Sequence, residues 1–349
     1  MAGPLGWPAL LSSLLLGESL SSDQAAWAMR EVMSGNASSA QTAGFVVALR
    51  AKGETAEEIT GLVDVMLEFA APVTVAGRVV DTCGTGGDRS NTVNISTMAA
   101  VVVAGCGIPV AKHGGRASSS ASGSADVLEA LGVVVDLPPA AIGPCLADAG
   151  IAFCFAPVFH AGMRHAATAR RELGVGTVFN ILGPLTNPTR PGAQSIGVSE
   201  RRLAPVMAEV LARRGTDALV FRGDDGLDEL TTTGTSSVWS VSGGTVASSS
   251  FDPGSIGLRR ASLQDLAGGS AEANAVVAKD VLSGREGLVR DAVLLNAAAA
   301  IAAFEDENAT VEERLAAGLV RAAASIDSGK AAEVLEKWVE VSHRLQGPG

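Results

Sequence analysis

The sequence predicts an α/β protein in two parts. A small all-helical N-terminal domain covers residues 1–72. A larger α/β domain, 73–349, holds a mostly parallel central sheet covered by helices. Three observations carry this. Before residue 72, Ser21 with Gln24, Ser38 with Gln41 and Thr55 with Glu58 each precede an amphipathic run, the reciprocal pattern that satisfies orphan N–H donors at a helix start. From Val79 onward, short apolar strands alternate with helical runs, as in a parallel sheet whose crossovers are helices. Three of those strands run into glycine-rich or carboxylate-rich turns, which puts polar loops at the sheet end where open α/β folds bind ligands.

Taken in chain order, Pro4 to Gly17 contains Leu10-Leu-Ser-Ser-Leu-Leu-Leu16, a run that could pass for a signal peptide. The first arginine is Arg30, the apolar stretch is short and no small-residue cleavage site follows, so it reads as a core helix. Gly35 and Gly53 stand where the next helices should stop, and Pro72 marks the boundary of the helical part. Val79-Val80 opens the first strand. A second ends at Lys112, and a helix opens near Ser124. His160 to Gly174 reads as one helix rich in Arg and His. Asp217 to Phe221 is another strand. The Ser/Thr/Gly-rich stretch from Thr231 to Ser250 reads as short antiparallel strands, and four helices follow. No run reaches the roughly 18 apolar residues of a membrane span.

Three segments carry chemistry. In Asp81-Thr-Cys-Gly-Thr-Gly-Gly-Asp-Arg-Ser-Asn-Thr-Val-Asn-Ile-Ser-Thr97, glycines 84, 86 and 87 follow a strand, and Asn94, Ser96 and Thr97 stand where a helix begins. Glycine lets backbone N–H groups approach a ligand closely, and a helix N-terminus adds free donors and partial positive charge. Together they suit phosphate or diphosphate. The pattern lacks the Gly-Lys-Ser/Thr ending of a P-loop and the spacing of a dinucleotide loop, so by itself it also fits an ordinary strand-to-helix turn. The second segment, Lys112-His-Gly-Gly-Arg-Ala-Ser-Ser-Ser120 with Ser124, offers two cations and many hydroxyls; alone it also fits a flexible linker. In the third, Arg222-Gly-Asp-Asp-Gly-Leu-Asp-Glu229, carboxylates would repel a diphosphate unless Mg²⁺ sat between them. Alone it also fits an acidic surface loop.

The net charge of −11 argues against nucleic acid or a membrane surface as the main partner. Cys83, Cys106, Cys145 and Cys154 show no paired metal-ligand spacing and read as reduced thiols of a cytoplasmic protein. His113, His160, His165 and His343 are scattered, and a structural role outweighs a catalytic one for the second and third. With no tyrosine in the chain, aliphatic side chains must fill the core.

GTGGD…NIST, KHG-x-R-x-x-S-S…GSADVLEALG, RRELG…TVFNILGPLTNP and GDDGLDEL occur in one order across almost the whole chain. In them the sequence resembles the anthranilate phosphoribosyltransferase family. The resemblance implies transfer of the phosphoribosyl group of phosphoribosyl pyrophosphate (PRPP) to the amine of anthranilate, with Mg²⁺, in tryptophan biosynthesis. It implies that Gly84, Gly87, Asp88, Thr92, Asn94, Ile95, Ser96 and Thr97 hold the phosphorylated sugar. Lys112, His113, Gly114, Gly115, Arg116, Ala117, Ser118, Ser119, Ser120 and Ser124 would clamp its phosphates. Ser96, Asp228 and Glu229 would meet Mg²⁺. Arg170 would take the anthranilate carboxylate, with Gly84, His113 and Gly115 beside the ring. It implies a homodimer formed through the helical domain, and a later helical segment near 160–190 that joins that domain. No catalytic base is assigned, since a neutral aromatic amine is already nucleophilic.

Two departures fall on the acceptor side. Gly115 stands where the family usually has Asn, which removes a side-chain hydrogen bond worth about 0.5–1.5 kcal/mol net. Ala161 follows Phe159-His160 where the family often has Pro, which would loosen that turn. A transferase acting on a different aromatic acid is therefore the alternative. A non-catalytic, nucleic-acid-binding relative is disfavoured by the acidic charge and the intact Ser96, Asp228 and Glu229. A pyrimidine nucleoside phosphorylase is disfavoured by the Asp-Glu turn.

Overall fold

The computed structural model describes residues 6–117, 121–305 and 309–346. Four helices open the chain: α1 (Trp7–Leu15), α2 (Ser22–Met33), α3 (Ser39–Lys52) and α4 (Ala56–Glu68). All three capping boxes form, at Ser21, Ser38 and Thr55. Gly35 and Gly53 follow α2 and α3 in positive-φ conformations, with φ of 77° and 96°, which glycine adopts without a Cβ penalty. Helix α1 buries Trp7, Leu10 and Leu14, so the leucine-rich start is a core helix. Among the described residues no helix is long and apolar enough to cross a membrane.

The sheet follows. Strands β1 (Val80–Gly84), β2 (Val110–Gly114), β3 (Ile151–Phe155), β4 (Ala193–Gly197) and β5 (Asp217–Gly223) are parallel, and β6 (Ser236–Ser242) and β7 (Thr245–Phe251) add antiparallel. The spatial order is β3-β2-β1-β4-β5-β6-β7. The chain winds outward from β1 to β3 and then returns to β4 on the other side of β1. The crevice at such a reversal is where open α/β sheets place their ligand. Between strands run α5 (Ile95–Gly105), α6 (Ser124–Ala130), α7 (Pro139–Ala149), α8 (Ala156–Phe159), α9 (Ala167–Leu173), α10 (Phe179–Leu185) and α11 (Leu203–Arg213). Four helices close the chain: α12 (Ala271–Leu282), α13 (Leu288–Glu305), α14 (Val311–Asp327) and α15 (Lys330–Gln346).

Both faces of the parallel strands β1–β5 are buried, as such strands require, whereas the antiparallel edge strand β7 is largely exposed. Strand β5 shows the period of two: Ala218 and Val220 enter one core, Leu219 and Phe221 another. The first of these cores merges α1–α4 with α10, α11, Ile196 of β4 and Val198 just beyond it. The opposite face packs on α5, α13 and α15.

Two expectations need correction. His160–Gly174 is not one helix: a 3₁₀ turn, Ala161–Ala166, precedes α9. Gly162 passes so close to α2 that an added Cβ would lie 3.0 Å from the Met33 carbonyl oxygen, and this tertiary contact overrides local helix preference. Strand β2 also runs past Lys112 to Gly114.

Candidate active site

Glycines floor the crevice. Strands β1, β2, β4 and β5 end in Gly84, Gly114, Gly197 and Gly223, and Gly84 pairs in register with Gly197. A Cβ built on Gly84 would lie 2.1 Å from Asp228 Oδ2, and one on Gly197 1.6 Å from the Asp228 carbonyl oxygen. On Gly114 it would meet Ser124 Oγ at 2.3 Å. These positions are glycine because the next layer of polar groups sits where side chains would be.

The first loop supplies donors. Gly86 and Gly87 take φ of 68° and 85°, and Arg89 and Asn91 are left-handed too, a concentration of uncommon backbone that functional loops tolerate. Ser199 holds the loop, its Oγ donating to the Gly86 carbonyl and its N–H to Thr85 Oγ1. Helix α5 begins at Ile95 with Asn94 as N-cap, but the Asn94 side chain does not cap it. Its amide instead donates to the Ser122 carbonyl and accepts from Asn274. The helix end therefore keeps its positive character for the crevice, with Ile95, Ser96 and Thr97 lining the cavity. Thr92 lines it too and bridges to Ala267.

Opposite lies the acidic turn. Asp228 Oδ2 accepts from Gly86 N–H at 2.6 Å. Burial and the Asp88 charge beside it push the Asp228 carboxyl up to about 7. Burial and Asp228 drive Glu229 well above the carboxylate range, against the pull of Lys112. Such crowding needs a counter-charge. Two carboxylates and the Ser96 hydroxyl are hard oxygen donors, few in number, and suit an ion that takes its remaining ligands from phosphate oxygens and water. Among the described residues no group of three His, Cys, Asp or Glu side chains is placed to hold a metal ion by itself.

The folded-state value of Asp228 is raised from 3.8 to about 7, so its contribution to stability is complete below the unfolded value and is lost as pH rises through the folded one. Without divalent cation the melting temperature should fall as pH rises from about 4 to about 7 and level off above that, and Mg²⁺ should restore it more at pH 7 than at pH 4. An equal Mg²⁺ gain at both pH values in thermal denaturation would exclude this cluster as the ion's site.

The second loop is less open than its sequence suggests. Lys112 is almost fully buried, and its Nζ donates to the Thr82 carbonyl at 2.5 Å and to Ser96 Oγ at 3.3 Å. It acts from beneath the floor. His113 Nδ1 lies 2.8 Å from the Gly183 carbonyl, which only accepts, so the proton sits on Nδ1. Burial and neighbouring His160 lower the ring to about 3, so His113 is neutral and adds no charge for phosphate. Arg116 pairs with Asp126 and Glu129 rather than projecting a free fork. Gly115, Ala117 and Ser124 line the cavity. Ser118, Ser119 and Ser120 lie outside the described residues.

The far wall comes from the helical segment. Arg170 on α9 sets its guanidinium 5.5 Å from the centre of the Phe179 ring. It stays open to solvent although protein walls surround it, and that surrounding lowers its affinity for the proton. Among the described residues it has no carboxylate partner, which leaves a cation for an incoming anion. Asn180, Gly183 and Pro184 complete this wall. Among the described residues, nothing lies within 4 Å of a Cβ added at Gly115. The whole cavity holds about 330 Å³.

Two family models match the chain. The helical bundle domain of a glycosyl transferase family covers residues 8–70, and the a/b domain of that family covers 76–332. A Nocardioides protein called anthranilate phosphoribosyltransferase is 57% identical, over 97% of this chain and 99% of its own length. The chain belongs to the anthranilate phosphoribosyltransferase family. An Arthrobacter member is 58% identical over 96% of each chain. The Thermus thermophilus family structure superimposes with a TM-score of 0.89 at 42% identity, covering 96% of this chain and 99% of that one. The Saccharomyces cerevisiae member, solved with PRPP and Mg, gives 0.88 at 29% identity, covering 98% and 99%.

For a family member, the supporting residues are as telling as the lining ones, and sequence reasoning missed them. Asn296, the one polar residue between Ala292 and Phe304 of α13, grips Leu230 at both ends: Oδ1 accepts from its N–H and Nδ2 donates to its carbonyl, each at 2.9 Å. That fixes the turn just after Glu229. Asn187 Nδ2 donates to the buried Asp81 at 2.9 Å and to the Ala111 carbonyl at 2.7 Å. Asp81 in turn accepts from His113 N–H. The available signals were an Asn inside an Ala-rich helix and an Asp opening the DTCGTGGD stretch.

Proposed function

We propose that the crevice carries out its family's reaction, transfer of the phosphoribosyl group of PRPP to the amine of anthranilate with release of pyrophosphate. One observation carries this: the glycine loop and the α5 N-terminus face the Asp228-Glu229 turn across a crevice whose other wall presents Arg170. The C1–O bond to pyrophosphate breaks, the C1–N bond forms, and the amine proton leaves to solvent. The N–H groups at the start of α5, with Asn94, Ser96 and Thr97, bind the donor's phosphates. Asp228, Glu229 and Ser96 would hold Mg²⁺, which supplies charge neutralisation of the departing pyrophosphate, a contribution of several kcal/mol. Arg170 fixes the acceptor carboxylate, and the apolar face of Phe179 lies beside it. Positioning and electrostatics carry the rate. His113, neutral and bonded to Gly183, orients rather than charges the site. We propose further that residues 1–72, joined by the segment near 160–190, form one domain against the rest of 73–349, and that the chain works in the cytoplasm as a homodimer. Exposed Leu15, Leu16 and Val47 on α1 and α3 support the dimer.

Pyrophosphate release from PRPP, anthranilate and Mg²⁺ tests the assignment, and no release above background sinks it. Arg170→Ala should raise KM for anthranilate roughly 10- to 100-fold, the loss of a hydrogen bond to a charged group of about 1.5–3 kcal/mol, with KM for PRPP little changed. The open space at Gly115 supports a second reading, a broader acceptor range. Comparing kcat/KM for anthranilate with that for ring-substituted analogues decides it; a large preference for anthranilate over every analogue rejects the broader range.

A further inference from the structure

A second polar cavity, of about 450 Å³, opens at the other end of the sheet, beside the starts of β4 and β5. Asp64 and Leu67 of α4 form one wall; Leu185, Arg190, Pro191 and Arg214 form the rest that matters here. It thus lies between the N-terminal helices and the sheet, remote from the strand ends that carry Gly84 and Gly197.

The charges in it are unbalanced. Arg214 follows α11, is half-buried, and spends Nη1 on the Leu185 carbonyl at 2.7 Å. Its Nε and Nη2 have no partner among the described residues. Arg190 has no side-chain hydrogen bond or ion pair among them either. Burial disfavours the Arg214 charge most; Asp64 attracts it more strongly than Arg190 repels it, yet one carboxylate facing two guanidinium groups leaves the lining with a formal surplus of positive charge. In a chain of net charge −11, two cations left to share a cavity call for a ligand. Arg190 also takes φ of 49°, uncommon for a side-chain-bearing residue. The turn is pinned there: Arg190 N–H donates to the Asn187 carbonyl, and Thr189 donates twice to Asn187 Oδ1. Strain held in place by dedicated bonds marks a position with a use.

We propose that this cavity is a binding site for a small organic oxyanion, a carboxylate or phosphate held by the forks of Arg190 and Arg214. Two planar guanidinium groups match oxyanion geometry. Leu67, Leu185 and Pro191 give room for an apolar body, and the volume falls in the range of small-ligand pockets.

The test uses the full chain with the catalytic crevice saturated by magnesium pyrophosphate. Inorganic phosphate and propionate are titrated separately by calorimetry. One site per chain is expected for at least one of them, and the tighter binder names the oxyanion class. Arg190→Asn keeps a residue that tolerates positive φ, and Arg214→Gln keeps a donor for Leu185. Each should weaken binding at least tenfold with the melting temperature and basal transferase activity retained, and Arg285→Ala, at a distant surface pair, should not. Absence of binding by both anions, or binding that survives both substitutions, overturns the proposal. So does phosphate binding seen only without pyrophosphate, which would belong to the crevice.

Discussion

Glu229→Gln is expected to lower kcat/KM roughly 100- to 1000-fold, the rate equivalent of losing about 3–4 kcal/mol of metal-assisted leaving-group stabilisation. The protein should be no less stable. Glu229 stands beside Asp228 and near Asp88, and burial with these like charges already pushes its carboxyl well up. Removing the charge relieves repulsion, while the backbone clamp of Asn296 on Leu230 keeps the turn in place. A residue with only a structural part would show the reverse, activity falling in step with melting temperature. The Mg²⁺ concentration for half-maximal rate should rise as well. Near-native kcat/KM with unchanged Mg²⁺ dependence would remove Glu229 from the metal site.

Much of this was legible in the sequence because it was local. A capping box lies within one turn of helix, so Ser21, Ser38 and Thr55 announced α2, α3 and α4. The strand-loop-helix units at 81–97 and 108–126 carry their glycines in sequence, and β1, α5, β2 and α6 follow them. What sequence withheld depends on groups far apart in the chain. Lys112 lines the cavity, but its near-complete burial and its bond to Ser96, 16 residues away, could not be read from spacing. Arg116 looked like a free fork, but Glu129 on the following helix claims it. The break in the 160–174 helix comes from α2, whose Met33 carbonyl meets Gly162. Asn296 lies 66 residues from the Leu230 it holds. Where a polar residue's partner lies far along the chain, spacing says nothing about it.

Gly84→Ala sets the second large effect, and Gly115→Asn is its contrast. Both glycines border the same cavity. Neither has the left-handed backbone that would strain a side chain, so only the surroundings decide. At Gly84 the new methyl would lie 2.1 Å from Asp228 Oδ2 and 3.0 Å from the Asp228 carbonyl oxygen. The acidic turn cannot yield freely, because Gly197 presses on the same carbonyl from the next strand and Asn296 holds Leu230 beyond it. Overpacking of this kind costs about 1–3 kcal/mol of stability. A shift of about 1 Å in the turn would lower kcat/KM roughly 100-fold. The loss should appear with every acceptor and as weaker Mg²⁺ dependence, since it strikes the donor and metal side. At Gly115 the added side chain meets no atom of the described residues within 4 Å at its Cβ, so KM for PRPP and the melting temperature should hold. The asparagine instead supplies a hydrogen bond worth about 0.5–1.5 kcal/mol, which should sharpen preference for anthranilate over ring-substituted analogues by roughly two- to tenfold. If Gly84→Ala altered acceptor choice while Gly115→Asn altered PRPP binding, the division of the crevice into a donor side at Gly84 and an acceptor side at Gly115 would be inverted.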